Sequence, residues 1–250
     1  MHKDMKNLLL LIVLFLSVSL ARAEDILISL YEYDPWRMVI GSDSPTFMLY
    51  SDGQVIFWNT ELKKYQNAIL NPSDLEAELS GVKRLTDLES EYILSGWTDQ
   101  PTQVLAFKSG ATNHKIGVYG SLRKQKEVRE KAPREFLALF DYYTRYSKAG
   151  ATDWNPTHIE VMIWPYDYAP EKSIIWPSTW PDINSGSTKK RGDSFSIYLP
   201  FNHYDEFKKF IATRNEKGAV EINGKKWVVS TRTPFPHEIA LNKSKQKGAQ

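Results

Sequence analysis

The residue types that most often perform catalysis or bind metal ions are sparse in this sequence. It contains five histidines and no cysteine among 250 residues. His158 and Glu160 lie two positions apart, so on a strand they would share one face and could supply two metal ligands. No third ligand stands at a suitable spacing and no HExxH motif is present, and an exposed polar strand face explains the pair equally well. The sequence therefore predicts no metal site.

Motifs for nucleophilic or nucleotide chemistry are equally weak. There is no GxSxG motif, and two S-x-x-K matches, at residues 121–124 and 187–190, lack the partner motifs that give such a match its meaning. No glycine-rich phosphate loop follows a predicted strand. Acidic residues are plentiful, so a glycosidase-like pair of carboxylates stays open, although nothing in the sequence identifies it. We predict no catalytic residue and no cofactor, and we favour a protein that is not an enzyme.

The most unusual segment is residues 164–181, which holds three Trp-Pro steps and two tyrosines. Tryptophan offers a large rigid contact area and is enriched at binding hot spots, and proline stiffens the loop that carries it. The alternative is a loop that folds back and buries its aromatic side chains in the core. A candidate binding surface is thus predicted at Trp164, Tyr166, Tyr168, Trp176 and Trp180.

Short strands joined by tight turns are the elements that would position these residues. Asp52-Gly53 and Asn223-Gly224 supply the positive φ angles that tight hairpins need. Runs rich in β-branched and aromatic residues occur at residues 26–33, 46–50, 54–58, 103–108, 115–119, 158–164, 194–199, 219–222 and 225–231.

Three helices are predicted between these strands. The first begins at Asn71 and ends at Gly81, the second covers residues 133–146, and the third is capped by Asn202. The second helix has an aromatic face that we expect in the core, formed by Phe136, Phe140 and Tyr143. This order predicts an α+β fold, mainly antiparallel β-sheet built from hairpins with three or four helices packed on it.

The N-terminus has the three parts of a cleavable secretory signal peptide. Residues 1–7 are positively charged, residues 8–20 are apolar, and Ala21-Arg22-Ala23 forms a cleavage site. Thirteen apolar residues are too few for a helix that spans a membrane, which needs about 20. Without cysteine there is no lipid anchor of the lipoprotein kind. We therefore expect a periplasmic or secreted protein without a stable membrane anchor.

Removing the signal peptide changes the charge balance of the chain. The whole chain has 32 basic and 30 acidic residues, and residues 1–23 hold three of the basic and one of the acidic ones. The remainder therefore carries 29 of each. Nucleic-acid binding depends on phosphate neutralisation by a positive surface, so this balance argues against a nucleic-acid partner.

Composition also indicates how the chain is organised. We predict a signal peptide at residues 1–23, a first β/α lobe at 24–146, a connector at 147–157, a second β/α lobe at 158–241 and a flexible basic tail at 242–250. The two lobes are expected to form one compact unit.

Several short sequence motifs resemble those of a group of uncharacterised secreted proteins and lipoproteins, common in actinobacteria. Residues 45–56 match a P-x-F-x-L-Y-x-D-G-x-V-I signature, and a T-D-x-P-T step follows at residues 98–102. A Trp-Pro step at residues 176–177 and a closing R-P-x-x-P-x-E-like phrase at residues 232–238 keep the same order. This chain departs from the group in lacking cysteine and in the extra Thr233. The resemblance implies export and a single extracytoplasmic fold, and it supplies no catalytic residues.

Two functions remain open. The first is an exported, non-enzymatic periplasmic binding protein, specifically an inhibitor or immunity-type partner of a toxin that acts on the cell envelope. The alternative is a cell-envelope hydrolase that acts on a glycan or peptidoglycan through a carboxylate pair, or through His158 with Glu160. A cleft with two convergent acids would favour the enzyme, and exposed tryptophans would favour binding. The oligomeric state stays undetermined.

Overall fold

The computed structural model describes residues 25–238, which form two β-sheets with helices packed on them. Within that range the first sheet contains eight strands: β1 (Ile26–Tyr33), β2 (Phe47–Tyr50), β3 (Gln54–Asn59), β4 (Lys64–Ile69), β5 (Glu91–Ile93), β6 (Thr102–Ser109), β7 (Thr112–Tyr119) and β8 (Thr152–Asp153). In the same range the second sheet contains six strands: β9 (His158–Pro165), β10 (Glu171–Ile175), β11 (Lys189–Arg191), β12 (Ser194–Pro200), β13 (Gly218–Ile222) and β14 (Lys225–Arg232).

Antiparallel pairing dominates both sheets. The first has the order β5-β7-β6-β1-β2-β3-β4-β8 and the second has the order β10-β13-β14-β9-β12-β11. Among the described residues only the pairs β5–β7 and β10–β13 run parallel, and each places a short strand at a sheet edge. The predicted α+β class with mainly antiparallel sheet is confirmed.

Four α-helices lie within residues 25–235: α1 (Pro72–Lys83), α2 (Lys126–Lys131), α3 (Arg134–Thr144) and α4 (Tyr204–Ala212). The structure confirms the three predicted helices as α1, α3 and α4. It adds α2, a short charged helix of six residues whose single buried side chain is that of Val128.

The predicted start of α1 is correct and its predicted end is wrong. The Asn71 side chain accepts a hydrogen bond from the backbone N–H of Asp74 at 2.9 Å, which satisfies one of the free donors at the helix start. The helix continues past Gly81 to Lys83 because the next residue, Val82, is fully buried in the core. Burial of one more apolar side chain outweighs the weak helix propensity of glycine.

The predicted cap of α4 is also wrong. Asn202 lies in a 3-10 turn, Phe201–His203, and its side chain makes no capping hydrogen bond. The helix therefore begins only at Tyr204, and Asp205 and Glu206 lie in its first turn, where acidic side chains are favourable.

Both predicted tight hairpins are confirmed. Gly53 has φ 84° in the turn between β2 and β3, and its N–H donates to the Tyr50 carbonyl oxygen at 3.1 Å. Asn223 and Gly224 have φ 51° and 73° between β13 and β14. Two successive positive φ angles define the turn whose twist matches that of the flanking strands, which explains the Asn-Gly pair.

Each sheet has its own helices packed on one of its faces. On the first sheet, inward residues of β1, β2, β3, β6 and β7 pack against α1, α2 and α3, and the Phe47 and Tyr143 rings lie 4.2 Å apart at this contact. The predicted core face of α3 is confirmed, because Phe136, Phe140 and Tyr143 are all buried. On the second sheet, Ile159, Val161 and Ile163 of β9 face α4.

On the opposite face of each sheet lies a segment that comes from the other half of the chain. Phe235, which follows β14 in the chain, is fully buried against Met48 and Tyr50 of the first sheet. Val39, from the loop between β1 and β2, packs on Met162 and Val228 of the second sheet. These two contacts connect the two sheets.

The first sheet ends at Asp153 and the second begins at His158. The residues predicted as a connector include β8, which pairs with β4 at the edge of the first sheet. The lobe boundaries themselves stay a prediction. Within residues 25–238 no helix is both long and apolar enough to cross a membrane. The predicted signal peptide and the predicted basic tail at residues 242–250 lie outside the described residues.

Candidate functional site

Two of the five aromatic residues predicted to form a binding surface lie in the core of the second sheet. Trp176 and Trp180 are 6% and 4% exposed, and their rings meet edge to face with centroids 5.0 Å apart. Both rings also pack on Phe207 and Phe210 of α4. The prediction of a binding surface is therefore wrong for Trp176 and Trp180, because the segment folds back and buries them, as in the alternative weighed above.

The other three predicted residues lie outside that core. Trp164 is 47% exposed and Tyr168, in the turn after β9, is 95% exposed. Tyr166 is partly buried and packs on the small cluster of Val39, Met162 and Val228. The structure thus leaves Trp164 and Tyr168 accessible to a partner, and their role in binding stays a prediction.

The loop of residues 34–42 adds exposed apolar side chains next to Trp164. Val39 is buried against Val228, and Val228 stands directly opposite Trp164 in the β14–β9 register. Residues opposite each other on antiparallel strands place their side chains side by side, so this loop lies beside Trp164. The exposed apolar side chains of the loop are those of Trp36, Met38 and Ile40.

A second loop is joined to the first by a hydrogen bond. The indole N–H of Trp36 donates to the carbonyl oxygen of Asp99 at 3.1 Å, and Trp97, two residues earlier, is exposed as well. We call the resulting patch the apolar surface; it comprises Tyr33, Trp36, Met38, Ile40, Trp97, Trp164 and Tyr168.

A polar cleft opens between the two sheets. Its volume is ≈ 420 Å³, within the range of roughly 300–1,000 Å³ that is typical of small-molecule sites. Both sheets and the 34–42 loop contribute to its walls. Its lining residues are Glu32, Arg37, Ser42, Ser44, Thr46, Trp58, Tyr65, Arg123, Ile159, Tyr204, Thr231, Arg232 and Thr233.

Arg232 lies at the back of this cleft in a network of buried charges. Its Nε donates to Glu160 Oε2 at 2.8 Å, and its Nη2 donates to Glu238. Glu160 is 1% exposed and also accepts from Arg191 Nη2 at 3.0 Å. Burial works against the charge of Arg232, but Glu238 and Glu160 outweigh it and raise its pKa. The guanidinium is therefore charged throughout the physiological pH range.

Two further arginines reach the cleft, Arg123 from the turn after β7 and Arg37 from the 34–42 loop. Arg123 donates from Nε and Nη2 to both carboxylate oxygens of Glu32, each at 2.6 Å. Thr46 donates to Glu32 Oε1 at 3.1 Å, which holds the carboxylate in place. Arg37 donates from Nε to the buried Asp43 at 3.1 Å. Paired carboxylates thus hold all three guanidinium groups in defined orientations.

The segment after β14 also contacts the first sheet through His237. The ring nitrogen Nδ1 of His237 lies 2.9 Å from the Tyr50 hydroxyl. Burial lowers the pKa of His237, Glu238 opposes this, and Arg232 adds to the lowering. The folded protein therefore holds this imidazole in its neutral form to lower pH than an exposed histidine.

We expect this shift to make stability depend on pH. The pKa of an exposed histidine is about 6.5, so the unfolded chain takes up the proton first and the free energy of unfolding falls as the pH drops below about 6.5. His237→Gln, which cannot take up this proton, should lose less stability than the native protein between pH 7.5 and pH 5.5 in urea unfolding. Equal losses would contradict a buried neutral His237.

The residues considered for chemistry do not converge in the structure. Both carboxylate oxygens of Glu160 accept hydrogen bonds from arginines. His158 makes no hydrogen bond to Glu160; its Nδ1 lies 3.0 Å from the hydroxyl of the neighbouring Thr157. One carboxylate, Glu32, lines the cleft among residues 25–238, and Arg123 already binds it. In the same range no group of three or more His, Cys, Asp or Glu side chains is placed to bind a metal ion.

Sequence reasoning missed the 34–42 loop and the cleft. A signal for the loop exists, because Trp36, Met38 and Ile40 alternate with polar or buried residues after a turn at Asp34-Pro35. The cleft has no local signal, since its arginines are far apart in the chain. Comparisons with family models, with curated proteins and with solved structures find no match. The resemblance at residues 45–56 therefore stays a prediction.

Proposed function

We propose that this protein is a non-enzymatic binding protein of the cell envelope that recognises a protein partner through its apolar surface. The observation that carries this proposal is the exposure of large apolar side chains on adjacent loops, led by Ile40 at 84% and including Trp36 and Trp97. Contiguous exposed apolar patches mark interaction sites, and tryptophan is enriched among the residues that dominate binding energy.

Contacts with the rest of the protein hold the apolar surface in place. Val39 anchors the 34–42 loop in the second sheet, and the hydroxyls of Ser42 and Ser230 lie 2.7 Å apart at the end of the loop. The Trp36 indole is fixed by Asp99. A surface that is ordered before it meets its partner loses less conformational entropy on binding, which supports a role in recognition.

The partner we propose is an exported protein that acts on the cell envelope, with this chain as its inhibitor or immunity-type partner. The predicted signal peptide supports the compartment. The surface supports the chemistry, because a partner must offer apolar pockets that accept indole and aliphatic side chains. The charge balance of the chain after residue 23 supports a protein rather than a nucleic acid as the partner.

Ile40→Ser is expected to weaken this interaction strongly. The partner would be captured with the tagged mature protein from an envelope fraction of the source organism, identified, purified and titrated by calorimetry. We expect the variant to bind at least about 30-fold more weakly, the effect of a hot-spot residue worth about 2 kcal/mol.

The matched control is Ile69→Ser, because Ile69 is also exposed but lies at the end of β4, away from the apolar surface. It should bind like the native protein. Equal affinities for the Ile40 and Ile69 variants would refute the apolar surface as the docking site. Recovery of the protein only from the cytoplasmic fraction would refute the proposed compartment.

A further inference from the structure

The cleft between the sheets concentrates hydrogen-bond donors that the protein does not use. Arg37, Arg123 and Arg232 all line it, and each already donates from Nε to a carboxylate. Among residues 25–238, no protein acceptor binds Nη1 or Nη2 of Arg37, Nη1 of Arg123, or Nη1 of Arg232. Three guanidinium groups therefore keep terminal N–H donors that are free to bind a ligand.

The carboxylates that orient these arginines lie mostly behind the cleft wall. Asp43 and Glu160 are buried, and neither they nor Glu238 line the cleft. Their position fixes the guanidinium groups of Arg37 and Arg232 from the side away from the cleft and leaves the remaining N–H groups pre-organised, as supporting residues do in binding sites. Glu32 is the one carboxylate in the described lining. The lining itself therefore presents three guanidinium groups and one carboxylate to a ligand, and each guanidinium is already paired with a carboxylate.

This donor arrangement favours an oxyanion. A guanidinium presents its N–H groups as a planar fork that matches the oxygens of a carboxylate or phosphate, and such charge-assisted hydrogen bonds are stronger than neutral ones. A neutral ligand would leave most of these donors without an acceptor of comparable strength.

The other lining groups indicate that the ligand is larger than an inorganic ion. Thr231, Thr233 and Tyr204 contribute hydroxyls for which the described residues provide no hydrogen-bond partner, and Trp58 contributes an aromatic ring. Aromatic faces and hydroxyls together suit a ring that carries polar substituents. The volume of ≈ 420 Å³ also exceeds what a bare phosphate or carboxylate fills.

We propose that the cleft between the two sheets binds a small molecule that carries a carboxylate or a phosphate on a polar ring, through Arg37, Arg123 and Arg232. The ligand oxyanion accepts hydrogen bonds from the free terminal nitrogens of these arginines, and the ring of the ligand packs against the indole of Trp58. This site shares the 34–42 loop with the apolar surface but uses different side chains, so either proposal can fail without the other.

Calorimetric titration of the mature protein tests this site with four probes. Glucuronate carries a carboxylate on a sugar ring, glucose 6-phosphate carries a phosphate on one, glucose is the neutral control and inorganic phosphate lacks a ring. We expect one of the two anionic sugars to bind at least about tenfold more tightly than glucose and than inorganic phosphate. Whichever of the two binds more tightly identifies the oxyanion.

Variants then connect the binding to the arginines. Arg37→Gln and Arg123→Gln each remove one guanidinium from the cleft, and we expect each to weaken binding of the preferred probe by at least about tenfold. Arg145→Gln removes the same charge from a surface residue that pairs with Asp141 outside the cleft, and it should leave affinity within about twofold. Circular dichroism and urea midpoints confirm that each variant is folded.

Three results would overturn the proposal. The first is an absence of binding by both anionic sugars up to about 10 mM, which corresponds to less than about 3 kcal/mol of binding free energy. The second is equal affinity for glucose and its anionic counterparts. The third is a folded Arg37 or Arg123 variant that binds the preferred probe as tightly as the Arg145 variant does.

Discussion

Replacing Arg232 with methionine is expected to lower the free energy of unfolding by about 3–5 kcal/mol, the cost of removing one partner from a buried ion pair. The change leaves Glu160 buried with Arg191 as its remaining partner and takes from Glu238 its ion-pair partner. A buried carboxylate without sufficient counter-charge loses its hydration, and no other contact offsets this free-energy cost. Urea unfolding at pH 7 measures the loss.

Arg191→Met is the matched control, because the substitution is the same and the residue binds the same carboxylate. The side chain of Arg191 is 50% exposed, and Glu160 keeps Arg232 when it is removed. Exposed ion pairs contribute about 0–1 kcal/mol, so the control should stay within that range. Similar losses for both variants would show that the Arg232–Glu160 pair is not the dominant contact.

A double variant separates the lost pair from the buried charge it leaves behind. Arg232→Met combined with Glu160→Met removes both charges, and it should be more stable than Arg232→Met alone because apolar side chains of similar volume can fill the site. A double variant less stable than the single one would contradict this account of the network.

Trp180→Ala is expected to lower the free energy of unfolding by about 3–5 kcal/mol, the usual range for truncating a buried aromatic residue. Trp180 packs on Trp176, Phe207 and Phe210, so its removal opens a cavity between the second sheet and α4. The loss would be measured from urea unfolding followed by circular dichroism.

Trp164→Ala serves as the control within the same Trp-Pro segment. Trp164 is exposed on the other face of the sheet, so its removal should cost less than about 1 kcal/mol. The two variants together distinguish a core tryptophan from a surface one. A small effect at position 180 with a large one at position 164 would reverse the assignment of the two faces.

Elements with a strong local signal were predictable from the sequence. The Asp52-Gly53 and Asn223-Gly224 hairpins form because glycine, and asparagine to a lesser degree, adopt positive φ angles at low cost; Gly53 supplies one such angle, and Asn223 with Gly224 supplies two. Helix α3 forms where aromatic residues recur at helical spacing, and α1 begins at an asparagine that caps it. These features depend on residues that are close in the chain.

Strands with a weak local signal were not predictable. The strands β4, β5, β8, β10 and β11 went unpredicted, and they are short or polar and do not alternate between apolar and polar residues. The strands β5, β8, β10 and β11 each pair with one neighbour because they lie at sheet edges, and β4 lies next to the edge strand β8. Their backbone pairing with a neighbouring strand, rather than their own composition, makes them strands.

The sequence by itself determined the α+β class, the two hairpins and the start of the helices, because these follow from contacts within a few residues. Only the tertiary structure decided which tryptophans of the 164–181 segment are buried. It also brought Arg37, Arg123 and Arg232 to one cleft and placed the 34–42 loop beside Trp164. These features depend on contacts between residues that are far apart in the chain, and such contacts leave no periodicity or spacing in the sequence.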